Sequence, residues 1–133
     1  MSIPELKIQS NFSLAGRIKS IGYALRGVVV FLKTTHAVWI HIFTTSFVVL
    51  LGVFLKISSI EWMFIVFACG FVIVTESINT AIEIDIDLTS PEYHPYARDT
   101  KDVAAGAVLI ASLTAIIIGM IVFLPKVLLY VNI

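Results

Sequence analysis

Val74-Thr-Glu-Ser-Ile-Asn-Thr-Ala-Ile-Glu83 begins inside a long apolar run and carries Glu76, Asn79 and Glu83 out of it. At ~100° per residue these three fall within about 60° of one another on one helix face. Two carboxylates and an amide on one stripe, at the end of a membrane-length helix, are costly to place there. Polar groups in that setting mark a functional site.

The composition sets the same frame. The chain has 133 residues, enough for one domain. It is 59% hydrophobic with a mean hydropathy of +1.00, far above an ordinary soluble domain. Nine basic residues balance nine acidic ones, so no basic surplus points to nucleic acid and no acidic surplus to disorder. The single Cys69 excludes an internal disulfide and a cysteine metal cluster, and reads as a small packing residue. Met1 to Gln9 lacks the basic and apolar regions of a signal peptide.

Working outward from the stripe, the expected architecture is an all-α membrane protein. Residues 12–33 form an amphipathic helix, with Arg17, Lys19, Arg26 and Lys33 set among apolar residues at spacings of three and four. Asn11 or Ser13 is placed to cap it. Such a helix suits a membrane surface, and suits packing against a bundle equally well. Spans follow at about 37–55, 61–83 and 102–124, each long enough for ~30 Å of hydrocarbon. Trp39 sits where an interfacial aromatic is expected. His41 beside it reads as an interfacial or helix-to-helix hydrogen-bonding residue. Residues 84–101 form the one long polar loop, with Ser90-Pro91 as its strongest punctuation. Pro125 and Lys126 mark the far end of the third span.

Seven of the nine acids lie between Glu76 and Asp102. Placing the N-terminus and this acidic segment on the cytoplasmic side puts seven basic residues there and leaves only Lys56 and Lys126 opposite, as the positive-inside rule requires. Carboxylates at an interface bind a hard cation such as Mg2+. A buried one serves as a general base. Glu76, the deeper, suits a base meeting a lipid hydroxyl, and Glu83, the shallower, suits a metal carrying a soluble nucleotide. Lys101 is placed to neutralise phosphate charge, and phosphoryl transfer needs mainly such positioning and charge stabilisation. No glycine-rich phosphate loop is present. For Glu83, Asp85 and Asp87 a solvated helix end is the competing reading, and Asp102 is also favourable simply as an acid at a helix start.

Glu76-Ser-Ile-Asn-Thr-Ala-Ile-Glu83, Ser90-Pro-Glu-Tyr-His-Pro95 and Ala97-Arg-Asp-Thr-Lys-Asp-Val-Ala-Ala-Gly-Ala-Val108 resemble the prokaryotic diacylglycerol kinase / undecaprenol kinase family, from about Leu14 to Leu124. The resemblance implies a homotrimer of three-span subunits in the bacterial inner membrane, with shared active sites facing the cytoplasm. It implies ATP- and Mg2+-dependent phosphorylation of a membrane lipid alcohol, undecaprenol or diacylglycerol. By motif position Glu76 corresponds to the catalytic base and Asn79 to its supporting polar residue. Glu83 corresponds to a metal and nucleotide ligand, Ser90 and Glu92 to nucleotide contacts, and Lys101-Asp102 to the pair holding phosphate and ribose. Tyr23 matches a nucleotide-proximal tyrosine of the surface helix. Ile40-His41 and the Ser90–Pro95 segment are nearer the undecaprenol kinase branch.

One position departs from the family pattern. The Glu that usually supplies a second metal ligand is Thr35 here, and an Asn two residues on is Ala37. Threonine offers one neutral oxygen, so metal binding is expected to be weaker or completed by Asp85 or Asp87. An impaired paralogue acting as a membrane assembly or binding subunit is the alternative function. A cation transporter is disfavoured, because the acids gather at one end of the span.

Overall fold

The computed structural model describes residues 13–131 and contains four helices. Asn11, Phe12 and the segment Met1 to Gln9 lie outside the described residues. Helix α1 (Leu14–Thr34) starts at Ser13, whose hydroxyl accepts from the Gly16 N–H at 3.3 Å. Of the two expected caps, Ser13 thus satisfies a first-turn donor. Thr35 ends the helix in extended backbone, and only Thr35 and His36 separate α1 from α2 (Ala37–Phe54).

The α2–α3 turn is tight. Lys56 takes a φ of 50°, a conformation most side chains avoid, and Ser58 opens α3 (Ser59–Thr89). Ser58 and Glu61 form a reciprocal capping box. The Ser58 hydroxyl accepts from Glu61 N–H at 3.3 Å, and the Glu61 carboxylate accepts from Ser58 N–H at 2.6 Å.

Helix α3 does not stop at the end of its apolar stretch. It runs 31 residues to Thr89, and α4 (Pro95–Tyr130) runs 36. The expected polar loop over residues 84–101 is therefore helical over most of its length, and only Ser90 to His94 lie outside helices. Charge does not break a helix; Gly and Pro do, and neither occurs between Gly70 and Pro91. Pro91 ends α3 by excluding Ser90 from helical backbone, and Pro95 opens α4 at the position where a missing N–H costs nothing. Pro125 was expected at the far end of the third span. It lies inside α4 instead, its ring tolerated where one interior hydrogen bond is lost.

Helices α3 and α4 form the principal packed pair, and α2 and α1 each rest more lightly on α3. The core gathers Ile57, Ile65, Val122 and Phe123, with Trp62 and Cys69 packed against it, so Cys69 is the packing residue it was read as. Gly52 is needed here, since a Cβ would fall 2.8 Å from Trp62 Cη2. Two ion pairs join the α3–α4 hairpin at opposite ends: Glu61 with Lys126 at 3.2 Å, and Asp87 with Lys101 at 2.5 Å. Helices α2, α3 and α4 are all long and apolar enough to cross a membrane. Phe43, Phe67 and Ile121 are about two-thirds or more exposed, a surface that suits lipid or another chain better than water.

Candidate active site at the α1–α2 junction

Among the described residues the only buried polar side chains are Glu76, Asn79 and Thr80, each 8% exposed or less. They occupy successive positions of one face of α3, and Glu83 and Asp87 continue it towards the helix end. Spacings of three and four keep all five on that face. Burying three polar groups side by side is unfavourable unless each finds a partner or a use.

Two partners are on the wall itself. Thr80 Oγ1 lies 2.7 Å from Thr35 Oγ1, which ties the α1–α2 junction to α3 across 45 residues of sequence. Asn79 Nδ2 donates to Glu83 Oε1 at 3.0 Å, holding one oxygen of that carboxylate and orienting the amide. Asn79 Oδ1 is buried without a partner.

These side chains enclose a cavity of about 450 Å³. The junction contributes Thr34, Thr35 and His36, and α3 contributes Glu76, Asn79, Thr80, Glu83 and Asp87. Three carboxylates, an amide, three hydroxyls and one imidazole make a mostly oxygen-lined wall, a donor set that suits a hard cation better than a soft one. Among the described residues no three His, Cys, Asp or Glu side chains converge to hold a metal unaided. Mg2+ does not ask for that, since it commonly takes one or two carboxylates together with substrate phosphate and water.

The structure brings Glu76, Asn79 and Glu83 together as their spacing predicts. Lys101 reaches the same wall through Asp87. Asp102 does not accompany it: this carboxylate is exposed, 4.0 Å from Arg98 Nε, while Arg98 also holds Asp99 at 2.8 Å. Ser90 and Glu92 lie in the α3–α4 connection, off the cavity wall. Tyr23 is exposed on α1 beside a second cavity of about 340 Å³, which shares Thr80 and Ile84 with the first.

Thr80, His36 and Asp87 complete the wall without having been proposed as site residues, although Asp87 had been weighed as a substitute metal ligand. The signal for two of them was present. Thr80 is four residues from Glu76, and Asp87 four from Glu83, so the stripe simply extends. His36 carries no comparable signal in the sequence.

Over residues 22–123 the chain matches the family model described as prokaryotic diacylglycerol kinase. Similar proteins include the undecaprenol kinase of Bacillus subtilis (strain 168), 38% identical over 108 residues that cover 81% of this chain and 88% of that protein. The diacylglycerol kinase of a Synechocystis species is 36% identical over 110 residues, 82% of this chain and 63% of that one. The diacylglycerol kinase of Escherichia coli (strain K12) is 28% identical over 107 residues, 75% of this chain and 82% of its own. With the match running from Gly22 in α1 through α2 and the acidic face of α3 to Phe123 in α4, the chain belongs to the prokaryotic diacylglycerol kinase family of lipid kinases.

Proposed function

We propose that the protein transfers the γ-phosphoryl group of ATP directly to the hydroxyl of a membrane lipid alcohol, with Glu76 as general base. The observation that carries this reading is Glu76 itself, a carboxylate 6% exposed on the wall of an acidic cavity, near the point where α3 leaves its apolar stretch. Glu76 takes the hydroxyl proton as the lipid oxygen bonds to the γ-phosphorus, and the bond to the departing ADP breaks. Asn79 supports that arrangement by fixing Glu83. Lys101 neutralises phosphate charge from the second turn of α4, and Tyr23, Ser90, Glu92 and Asp102 make the remaining nucleotide contacts.

Mg2+ bound with ATP would offset charge on the phosphate oxygens. The residues to hold it are Glu83 and, in place of the acid absent at position 35, Asp87. Thr35 adds at most a neutral oxygen, already shared with Thr80.

The acceptor is undecaprenol or diacylglycerol, and the Bacillus subtilis relative, named for undecaprenol, inclines the reading to the polyprenol. The broad apolar exposure of α2, α3 and α4 supports a homotrimer with sites shared between neighbours. The exposed apolar residues of α1, Leu14, Ile18, Ile21 and Leu25, support a helix lying on the cytoplasmic face of the inner membrane.

The test is an assay in mixed micelles with labelled ATP, Mg2+ and either lipid. Transfer to one lipid, abolished by Glu76→Gln, supports the reading. A wild-type chain that labels neither lipid overturns it, and favours a binding or assembly subunit. The neutral Thr35–Thr80 bond at the usual acid position is what keeps that second reading in view.

A further inference from the structure

Lys101 does not project freely towards the cavity. Its ammonium lies 2.5 Å from Asp87 Oδ1, and Asp87 stands on the cavity wall one turn from Glu83. Two carboxylates four residues apart on a helix repel each other, and the lysine relieves that repulsion. An entering polyphosphate meets the same acids and needs the same cation. Arg98, the other basic side chain at this end of α4, is taken up by Asp99 and Asp102. Asp87 and a phosphate oxygen therefore compete for Lys101.

We propose that Asp87 is an internal stand-in for nucleotide phosphate: it holds Lys101 at the cavity edge until the phosphate chain displaces it. This rests on the nucleotide reading given above. Exposure decides whether such an exchange is feasible. The two side chains are 36% and 69% exposed, so their pairing is screened and weak, and is readily given up. A phosphate oxygen offers a stronger charge-assisted bond than a screened carboxylate. A fully buried pair would instead have locked the lysine away. Until phosphate displaces it, Asp87 thus keeps Lys101 near its target, and the same contact weakens ATP binding by the amount the pair is worth.

The experiment is ATP binding by titration calorimetry on the full chain in detergent micelles, with chelator present so that no divalent cation contributes. Asp87→Asn is expected to tighten ATP binding about twofold to fivefold, the range an exposed ion pair spans. Asp87→Ala is expected to do the same without offering a new amide donor. In a Lys101→Met background neither substitution should tighten binding, because the competition has no object. Asp85→Asn, which removes an acid of the same helix turn but not of the cavity wall, should change the affinity by less than the Asp87 variants. Weaker binding in both Asp87 variants would overturn the proposal and make Asp87 an orienting residue for Lys101. Equal tightening by Asp85→Asn, or tightening that persists without Lys101, would overturn it as a general charge effect. If the wild-type chain binds no ATP, the nucleotide reading falls and this inference with it.

Discussion

Glu76 and Thr35 face one cavity, and each supports its own prediction. Glu76→Gln keeps the shape but removes the proposed base, so kcat is expected to fall about a hundredfold or more while KM for ATP changes little. Steady-state kinetics in mixed micelles checks this, and an undiminished kcat would remove Glu76 from that role. Thr35→Glu restores an acid to the junction. The half-saturating Mg2+ concentration should fall about tenfold, or ~1.4 kcal/mol. Coincident magnesium titrations for the two forms would show that position 35 is away from the metal. Thr80→Val leaves the Thr35 hydroxyl without its partner and should lower stability by about 1 kcal/mol, measured as a lower Tm in detergent. At this scale the sequence was informative about residues on one helix and silent about pairs. The positions of Glu76, Asn79 and Glu83 follow from helical spacing alone. The Thr35–Thr80 bond joins residues 45 apart, and no local pattern encodes it. Likewise, no local pattern pairs Lys101 with Asp87, fourteen residues before it, yet the two meet in space.

Between elements, the close contact of α2 with α3 is set by Gly52. Gly52→Ala forces a methyl group into Trp62 and Ile57, and is expected to cost about 1–3 kcal/mol by overpacking. Thermal unfolding in detergent measures it, and Trp62→Phe in the same chain should recover part of the loss. If Gly52→Ala unfolds at the wild-type temperature, the two helices are further apart than described here. The order of the elements was legible from apolar runs and polar breaks. Their ends were not, because the charges from Asp85 to Lys101 read as loop. Helix breakers, not charges, set the ends: Pro91 and Pro95 confine the break to Ser90–His94. Pro125 shows the opposite limit, where neighbouring packing carries a helix through a residue that would end it in isolation.

The described residues expose apolar surface on every long helix and bury polar groups at one end, and three of those helices are long and apolar enough to cross a membrane. Light scattering or native mass spectrometry in mild detergent is expected to give a protein mass three times the 14.7 kDa of the chain. A monomer retaining full kinase activity would contradict shared sites. Helix α3 has a further consequence. It passes without interruption from its apolar stretch to Thr89, so the rise between Glu76 and Glu83 is fixed by helical pitch at roughly 10.5 Å over seven residues. A hinge could adjust that spacing to its substrates; a continuous helix cannot. On the proposed phosphoryl-transfer reading, acceptor and donor come to a gauge whose two marks, Glu76 and Glu83, keep a fixed separation. Membrane thickness then becomes a selector in its own right. Bilayers that are thinner or thicker than the apolar stretch of α3 shift the lipid hydroxyl along this gauge, and turnover should peak at the thickness that brings it level with Glu76.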